Sequence, residues 1–266
     1  MSPDRWTSGT DYERYVGRWS RHVADEFVAW LAPPPGARWL DVGSGTGALT
    51  ERILAGADPA SVVGVEPSSA FVDHARAHLT DPRATFEIGS ATDVPLRDAV
   101  IDIAVAGLVL NFVPDLPGAL AELRRVVVPG GTIAAYVWDY GGRMELMKRF
   151  WDAAVELDPS AASATEDSRF TICAPEPLRA AFEAGGCTDV DVRAIDVPTV
   201  FRDFDDYWSP FLTGVGPAPG YAVGLPESRH LALRERLRST LPTAADGSIA
   251  LVARAWAVRS RTIRPT

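Results

Sequence analysis

Apolar residues recur along this chain with two different periods. From 11 to 31, Tyr12, Tyr15, Val16, Trp19, Val23, Phe27 and Trp30 follow one another at three- and four-residue steps, which puts them on one face of a helix. The run Ala32-Pro33-Pro34-Pro35-Gly36 stops it. Short, nearly continuous apolar runs then alternate with segments of helical period. The pattern predicts strands at 38–42, 61–65, 85–88, 101–108 and 132–138, with helices at about 46–55, 69–79 and 116–126 and a turn at 128–131. Strands that are apolar throughout and separated by helices describe a parallel sheet covered on both faces.

Beyond Asp139 the rhythm changes. Residues 143–157 read as an extra helix, 160–168 as a polar loop of small residues, and 175–184 as a further helix. Two β-rich stretches, 190–201 and 248–258, flank an excursion at 202–247 that holds Asp203-Phe204-Asp205-Asp206-Tyr207-Trp208, a Gly/Pro-rich segment and an amphipathic, arginine-rich helix near 227–241. No repeat or linker divides the chain. The expectation is one domain over 1–266, with a helical lid at about 10–31, a ligand-binding core at about 38–139, and a cap made by insertions at about 140–174 and 202–247.

Composition narrows the function. A chain of 266 residues that is 47% hydrophobic buries a full core. A formal charge of -9 gives no footprint for a polyanion, so no nucleic-acid partner is expected and a small molecule fits better. The N-terminus lacks a basic-then-apolar leader, and the most apolar stretch, 100–113, is broken by Asp102 and Asn111. We therefore expect a cytoplasmic protein with no membrane contact, as monomer or homodimer. Cys173 and Cys187 read as reduced thiols, the four histidines form no ligand motif, and no metal is expected.

The candidate chemistry starts at Leu40-Asp41-Val42-Gly43-Ser44-Gly45-Thr46-Gly47-Ala48-Leu49-Thr50. A strand, a glycine turn and a helix bring bare backbone N–H groups and a helix N-terminus up to a nucleotide-like ligand. The spacing GxGxG, in place of GxGxxG, shifts the reading away from dinucleotides. The sole lysine, Lys148, also lacks the Tyr-x-x-x-Lys partner of a nicotinamide-dependent oxidoreductase. Glu66 ends the next strand, about twenty residues on, where a carboxylate accepts both hydroxyls of a ribose. A third element, Phe86-Glu87-Ile88-Gly89-Ser90-Ala91-Thr92-Asp93-Val94-Pro95-Leu96, follows the third strand, and a fourth runs from Leu108 through Asn111 to the turn at Gly130 and Gly131.

With these four elements in order, the chain resembles the class I S-adenosylmethionine-dependent methyltransferases, particularly their small-molecule branch. The resemblance covers about 38–139 and extends to the terminal pair of β-rich stretches. It implies a seven-stranded, mostly parallel Rossmann-like α/β sheet with helices on both faces and one antiparallel strand among the last two. It also implies S-adenosyl-L-methionine as cofactor. Gly43, Ser44, Gly45 and Gly47 would lie against its methionine and ribose, Glu66 would hold the ribose, and Pro67 and Ser68 would border the adenine. Ala91 and Thr92 would present the adenine edge, and Leu108 the floor near the sulfonium. Ser90 stands where the family often has an acid, with Asp93 three residues later. Asp41 would orient the loop.

Methyl transfer from a sulfonium is a displacement whose leaving group comes with the cofactor, so alignment outweighs acid–base chemistry. The polar candidates at the carboxyl ends of the strands are Asn111, which orients but cannot act as a base, and Asp139, with Tyr140 beside it. Asn111 reads equally as a strand-end cap and Asp139 as a solvated loop acid. Tyr12, Tyr15 and Trp19 share a face with Arg18 next to them. This suggests a lid in which Tyr15 and Arg18 contact the cofactor, Arg18 through its carboxylate, while Tyr12 and Trp19 reach the acceptor. A plain amphipathic helix packed on the sheet is the other reading. The two insertions would set acceptor choice above the carboxyl ends of the strands, with Tyr207, Trp208 and Phe211 walling the pocket. The same aromatics would equally serve as glue between cap helices. A silent cofactor-fold binding protein and an RNA or protein methyltransferase are the competing functions.

Overall fold

A computed structural model describes residues 17–214 and 216–263. Tyr12 and Tyr15 lie outside the described residues. The elements in order are α1 (Arg18–Leu31), β1 (Arg38–Val42), α2 (Ala48–Gly56), β2 (Ser61–Glu66), α3 (Ser69–His78), β3 (Ala84–Ile88), β4 (Ile101–Gly107), α4 (Leu116–Val126) and β5 (Val127–Trp138). There follow α5 (Glu145–Leu157), α6 (Glu166–Arg169), α7 (Pro175–Ala184), β6 (Thr188–Phe201), α8 (Phe204–Trp208), α9 (Pro217–Gly224), α10 (Glu227–Thr240) and β7 (Ile249–Arg261).

The strands lie in the order β3-β2-β1-β4-β5-β7-β6. Neighbours from β3 to β5 pair in parallel, with Val42 beside Val65, Asp41 beside Val105 and Gly107 beside Tyr136. Strand β7 runs antiparallel to β5, since Gly131 O accepts from Thr262 N at one end while Arg254 O accepts from Asp139 N at the other. This is the seven-stranded, mostly parallel sheet that the family resemblance implied. The chain leaves β1 toward β2 on one side and later returns to β4 on the other. The carboxyl end of β1 is therefore a topological switch point, where open α/β sheets bind their ligands.

The described residues fall into two compact units. One comprises 21–137, 172–195 and 255–263 and holds the strand–helix alternation. Its core includes Phe27, Trp39, Leu40, Ile53, Leu120 and Phe182, each fully buried. The start of α4 shows how local chemistry sets an element. Asp115 caps it by accepting from Gly118 N at 2.9 Å, Pro117 sits in the first turn, and Ala119, Leu120, Leu123 and Val126 form the buried stripe. The turn predicted at 128–131 is absorbed into β5 as an irregularity, because Val127 pairs with Ile101 and Thr132 with Ile103.

The other unit comprises, among the described residues, 17–20, 138–171, 196–214 and 216–254. Its centre is aromatic, with Phe150 stacked on Phe211 at 4.5 Å and Tyr207 5.5 Å from Phe211. The loop expected at 160–168 is a 3-10 turn, Pro159–Ala164, followed by α6, because Asp158 and Thr165 each cap a start. Helix α10 is less amphipathic than the sequence suggests. Only Leu233 and Leu237 are buried, and its arginines pair outward, Arg234 with Asp205 at 3.2 Å and Arg236 with Glu156 at 2.6 Å. Among the described residues no helix is long and apolar enough to cross a membrane.

Candidate cofactor site

The glycine loop begins where β1 ends, and Gly43, Gly45 and Gly47 all have positive φ. Two of these positions need glycine for different reasons. A Cβ on Gly43 would stand 2.5 Å from the Val109 side chain, so Gly43 is where the loop lies closest to the segment after β4. Gly45, at φ +53°, has nothing within 4 Å of where its Cβ would be, and its open side is a cradle beside the backbone. Gly43 N and Ser44 N both donate to Val65 O, at 2.8 and 3.2 Å, and Gly47 N closes the turn on Ser44 O at 2.8 Å.

Glu66, at the end of β2, is the keystone. One carboxylate oxygen accepts from Gly45 N at 3.1 Å and the other from Ser68 N at 3.0 Å, so two separate turns hold one side chain in place. It is 8% exposed. A carboxylate has about four lone-pair sites, so each oxygen retains one for a ligand donor. Ser44 Oγ is buried and finds no partner among the described residues. Pro67 is exposed and Ser68 half-buried.

Asp41 lies beneath the loop. Thr50 Oγ1 on α2 donates to its Oδ2 at 2.7 Å. Burial raises its carboxyl to about 6, against the lowering effect of the Thr50 bond and with the Glu66 charge adding to the rise. Its bond to Thr50 ties β1 to α2, the helix that follows the glycine loop.

At the next strand ends, Gly89 N donates to Glu66 O at 3.2 Å, and Ser90 and Asp93 exchange two backbone bonds of 3.2 Å that close a tight turn over Ala91 and Thr92. Ala91 is half-buried and Thr92 exposed. Ile88, just before this turn, is 56% exposed, an apolar surface at the carboxyl end of β3. Leu108, directly after β4, has φ +60°, a left-handed conformation that costs a branched side chain energy and is held by its N–H to Tyr136 O at 2.8 Å. Asn111 sits in a single 3-10 turn, Leu110–Phe112, with its Nδ2 buried and without a partner among the described residues.

Several expected ligand contacts are used up internally. Asp139 Oδ2 accepts from Arg143 N at 2.9 Å and its backbone carbonyl from Met144 N, which makes it the acid of a tight turn ahead of α5. Tyr207 and Phe211 are fully buried, and the Tyr207 hydroxyl donates to Leu146 O at 3.0 Å, so neither offers surface to a pocket. Trp208 is 3% exposed, stacked on Phe204 and tilted against His230. For these three the structure corrects the pocket-wall expectation, because they are the packed interior of their unit. Tyr140 is buried against Phe170 at 6.0 Å, and Trp19 meets Phe201 edge to face at 5.6 Å. Two features carried no local signal. Arg18 pairs with Asp206 across 188 residues of sequence, and Glu166, within the expected loop, is 1% exposed and accepts from Trp151 Nε1.

A glycine loop at the switch point of a parallel sheet, with a tethered carboxylate at the end of the next strand, defines an α/β enzyme built around an adenosine-type cofactor. Residues 40–135 match the family described as "Methyltransferase domain". Among curated proteins, a demethylmenaquinone methyltransferase of Roseiflexus sp. (strain RS-1) is 31% identical over 182 residues, covering 63% of this chain and 75% of that protein. A trans-aconitate 2-methyltransferase of Variovorax paradoxus (strain S110) is 33% identical over 128 residues, covering 48% of each. Among solved structures, phosphoethanolamine N-methyltransferase 2 of Haemonchus contortus, in complex with phosphomonomethylethanolamine and S-adenosylhomocysteine, superposes with a TM-score of 0.61. That match is at 14% identity and covers 96% of this chain and 57% of that one. The chain belongs to the S-adenosylmethionine-dependent methyltransferases, and S-adenosylmethionine is its cofactor. The open side of Gly45, the unpartnered Ser44 Oγ and the spare lone pairs of Glu66 fit that group.

Proposed function

We propose that this enzyme methylates a small-molecule acceptor by in-line displacement and that orientation, more than acid–base chemistry, carries its rate. The observation that bears most on this reading is the double tether of Glu66 to Gly45 N and Ser68 N beside the open face of Gly45. A pre-positioned carboxylate of this kind binds without reorganising. The cofactor brings an electrophilic methyl group and its own leaving group. In this reading Gly43, Ser44, Gly45 and Gly47 lie along its methionine and ribose, and Glu66 accepts from the ribose hydroxyls. Pro67 and Ser68 border the adenine, Ala91 and Thr92 meet its edge, and Leu108 forms the floor. Asn111 offers its free Nδ2 to the acceptor as an orienting donor and removes no proton. Holding reactants close and collinear is worth roughly 7 to 11 kcal/mol, enough to make a dedicated base optional.

Incubation with S-adenosylmethionine labelled in its methyl group, together with a pooled metabolite extract, total RNA and total protein, tests this directly. Label in the dialysable fraction, with a product one methylene heavier by mass spectrometry, is the expected result. Label confined to RNA or protein overturns the small-molecule acceptor. No transfer, with S-adenosylhomocysteine still bound, favours the silent binding protein.

A further inference from the structure

Helix α3 carries the run His74-Ala75-Arg76-Ala77-His78. In an α-helix, side chains four residues apart lie one turn from each other on the same face, with Cβ atoms about 5 to 6 Å apart. Both histidines are exposed, and their rings stack with centroids 3.9 Å apart and planes 19° from parallel. Val72 and Ala75 of the same helix are buried against Phe86, so the histidines form a separate, outward stripe. The linear sequence shows no ligand motif here; the helix supplies the neighbourhood.

His78 is held by its own helix, with Nδ1 2.8 Å from His74 O. A carbonyl only accepts, so in the neutral ring Nδ1 carries the proton and Nε2 keeps the lone pair, on the outer side of the imidazole. A ring N–H given to a backbone carbonyl is the arrangement that orients metal-bound histidines. The His74 ring nitrogens have no hydrogen-bond partner among the described residues, so this ring can swing out of the stack until one of its lone pairs meets the same ion. Arg76, the cation between the two histidines in sequence, is turned away. Its Nε donates to Phe86 O of β3 at 3.2 Å. Asp73, next to His74, is exposed and adds negative charge to the helix.

We propose that His74 and His78 form a binding site for a divalent transition-metal ion, Ni²⁺, Cu²⁺ or Zn²⁺. Two histidines four apart on one helix are the spacing that shares a metal. Imidazole nitrogen suits these three ions, whereas Mg²⁺ and Ca²⁺ take oxygen. Among the described residues no third histidine, cysteine or carboxylate completes the set. The ion therefore keeps several positions for water, and its affinity rests on the pair. The site lies wholly within the unit of the strand–helix alternation, and it stands or falls independently of the methyltransferase reading.

The full chain, without an affinity tag and stripped with a chelator, is titrated calorimetrically with NiCl₂. His74→Gln and His78→Gln are titrated beside it, and so is a control that carries both His22→Gln and His230→Gln. The wild type and the control are expected to bind Ni²⁺ equally. Each single variant should bind roughly tenfold or more weakly, because the second imidazole engages the ion intramolecularly and either substitution removes that advantage. Ni²⁺ should raise the melting temperature of the wild type and of the control but not of the single variants, since only the folded helix presents both rings to one ion. Electron paramagnetic resonance with one equivalent of Cu²⁺ should report two nitrogen donors in the wild type and one in either single variant. Both side chains are exposed, so circular dichroism of the metal-free variants should match the wild type. The proposal is overturned if the wild type binds no Ni²⁺, if either single variant keeps wild-type affinity, or if the control loses as much affinity as they do.

Discussion

Thr50 donates its hydroxyl to Asp41 Oδ2 at 2.7 Å, tying the end of β1 to the helix that follows the glycine loop, at a point where Asp41 is 1% exposed. Burial raises the Asp41 carboxyl from 3.8 to about 6. Between those values the unfolded chain has lost this proton while the folded protein keeps it. The stability it contributes is complete below pH 3.8 and is lost as pH rises through about 6, a change on the order of 3 kcal/mol. Asp41→Asn retains an oxygen for Thr50 and removes the titration. Urea unfolding should therefore show the wild type losing stability relative to Asp41→Asn from pH 4 to pH 7. Parallel curves for the two proteins would contradict the buried carboxyl.

Glu166 offers the same argument in the other unit. Its carboxyl is raised from 4.5 to about 7, first by burial, with the Trp151 bond opposing. Its contribution is present below pH 4.5 and lost as pH rises through about 7. Glu166→Gln keeps an acceptor for Trp151 Nε1, so its melting temperature should match the wild type at pH 4.5 and exceed it at pH 8.

Glu66→Ala removes the acceptor for Gly45 N, Ser68 N and the cofactor's ribose hydroxyls together. Each hydrogen bond to a charged group is worth about 1.5 to 3 kcal/mol. Calorimetry with S-adenosylhomocysteine should show affinity falling at least tenfold, and unchanged affinity would reject Glu66 as the ribose contact.

Gly43 and Gly45 should fail in different ways. An alanine at Gly43 meets Val109 at 2.5 Å on a left-handed backbone, so Gly43→Ala should lower the melting temperature sharply. At Gly45 nothing obstructs the methyl, so Gly45→Ala should cost only about 1 to 2 kcal/mol of backbone strain. Because that methyl fills the cradle, the affinity for S-adenosylhomocysteine should fall far more than the stability does.

Tyr207→Phe removes the bond to Leu146 O from a fully buried site and should cost about 0.5 to 1.5 kcal/mol of stability. Turnover of any acceptor found should not change, because the ring lies inside its unit. A specific rise in acceptor KM with unaltered melting would return Tyr207 to the role of pocket wall.

The sequence by itself determined the strand–helix alternation, the glycine loop and Glu66 at the end of β2, because each is written in neighbouring residues: periodicity, turn chemistry and a short fixed spacing; the seven-stranded sheet followed from the family resemblance those residues carry. Helix α7 reads in the sequence at its observed bounds, since Pro175 opens it and Gly185 follows it. Only the tertiary structure decided what the aromatic and charged residues outside that alternation do. Tyr207 and Phe211 look the same in sequence whether they line a pocket or pack a core, and burial by α5 and α9 made them core. Asp139 became a turn acid because Arg143 N lies within reach, and Arg18 met Asp206 across 188 residues. Such contacts depend on where the chain returns to itself, and no local pattern of residues encodes that distance.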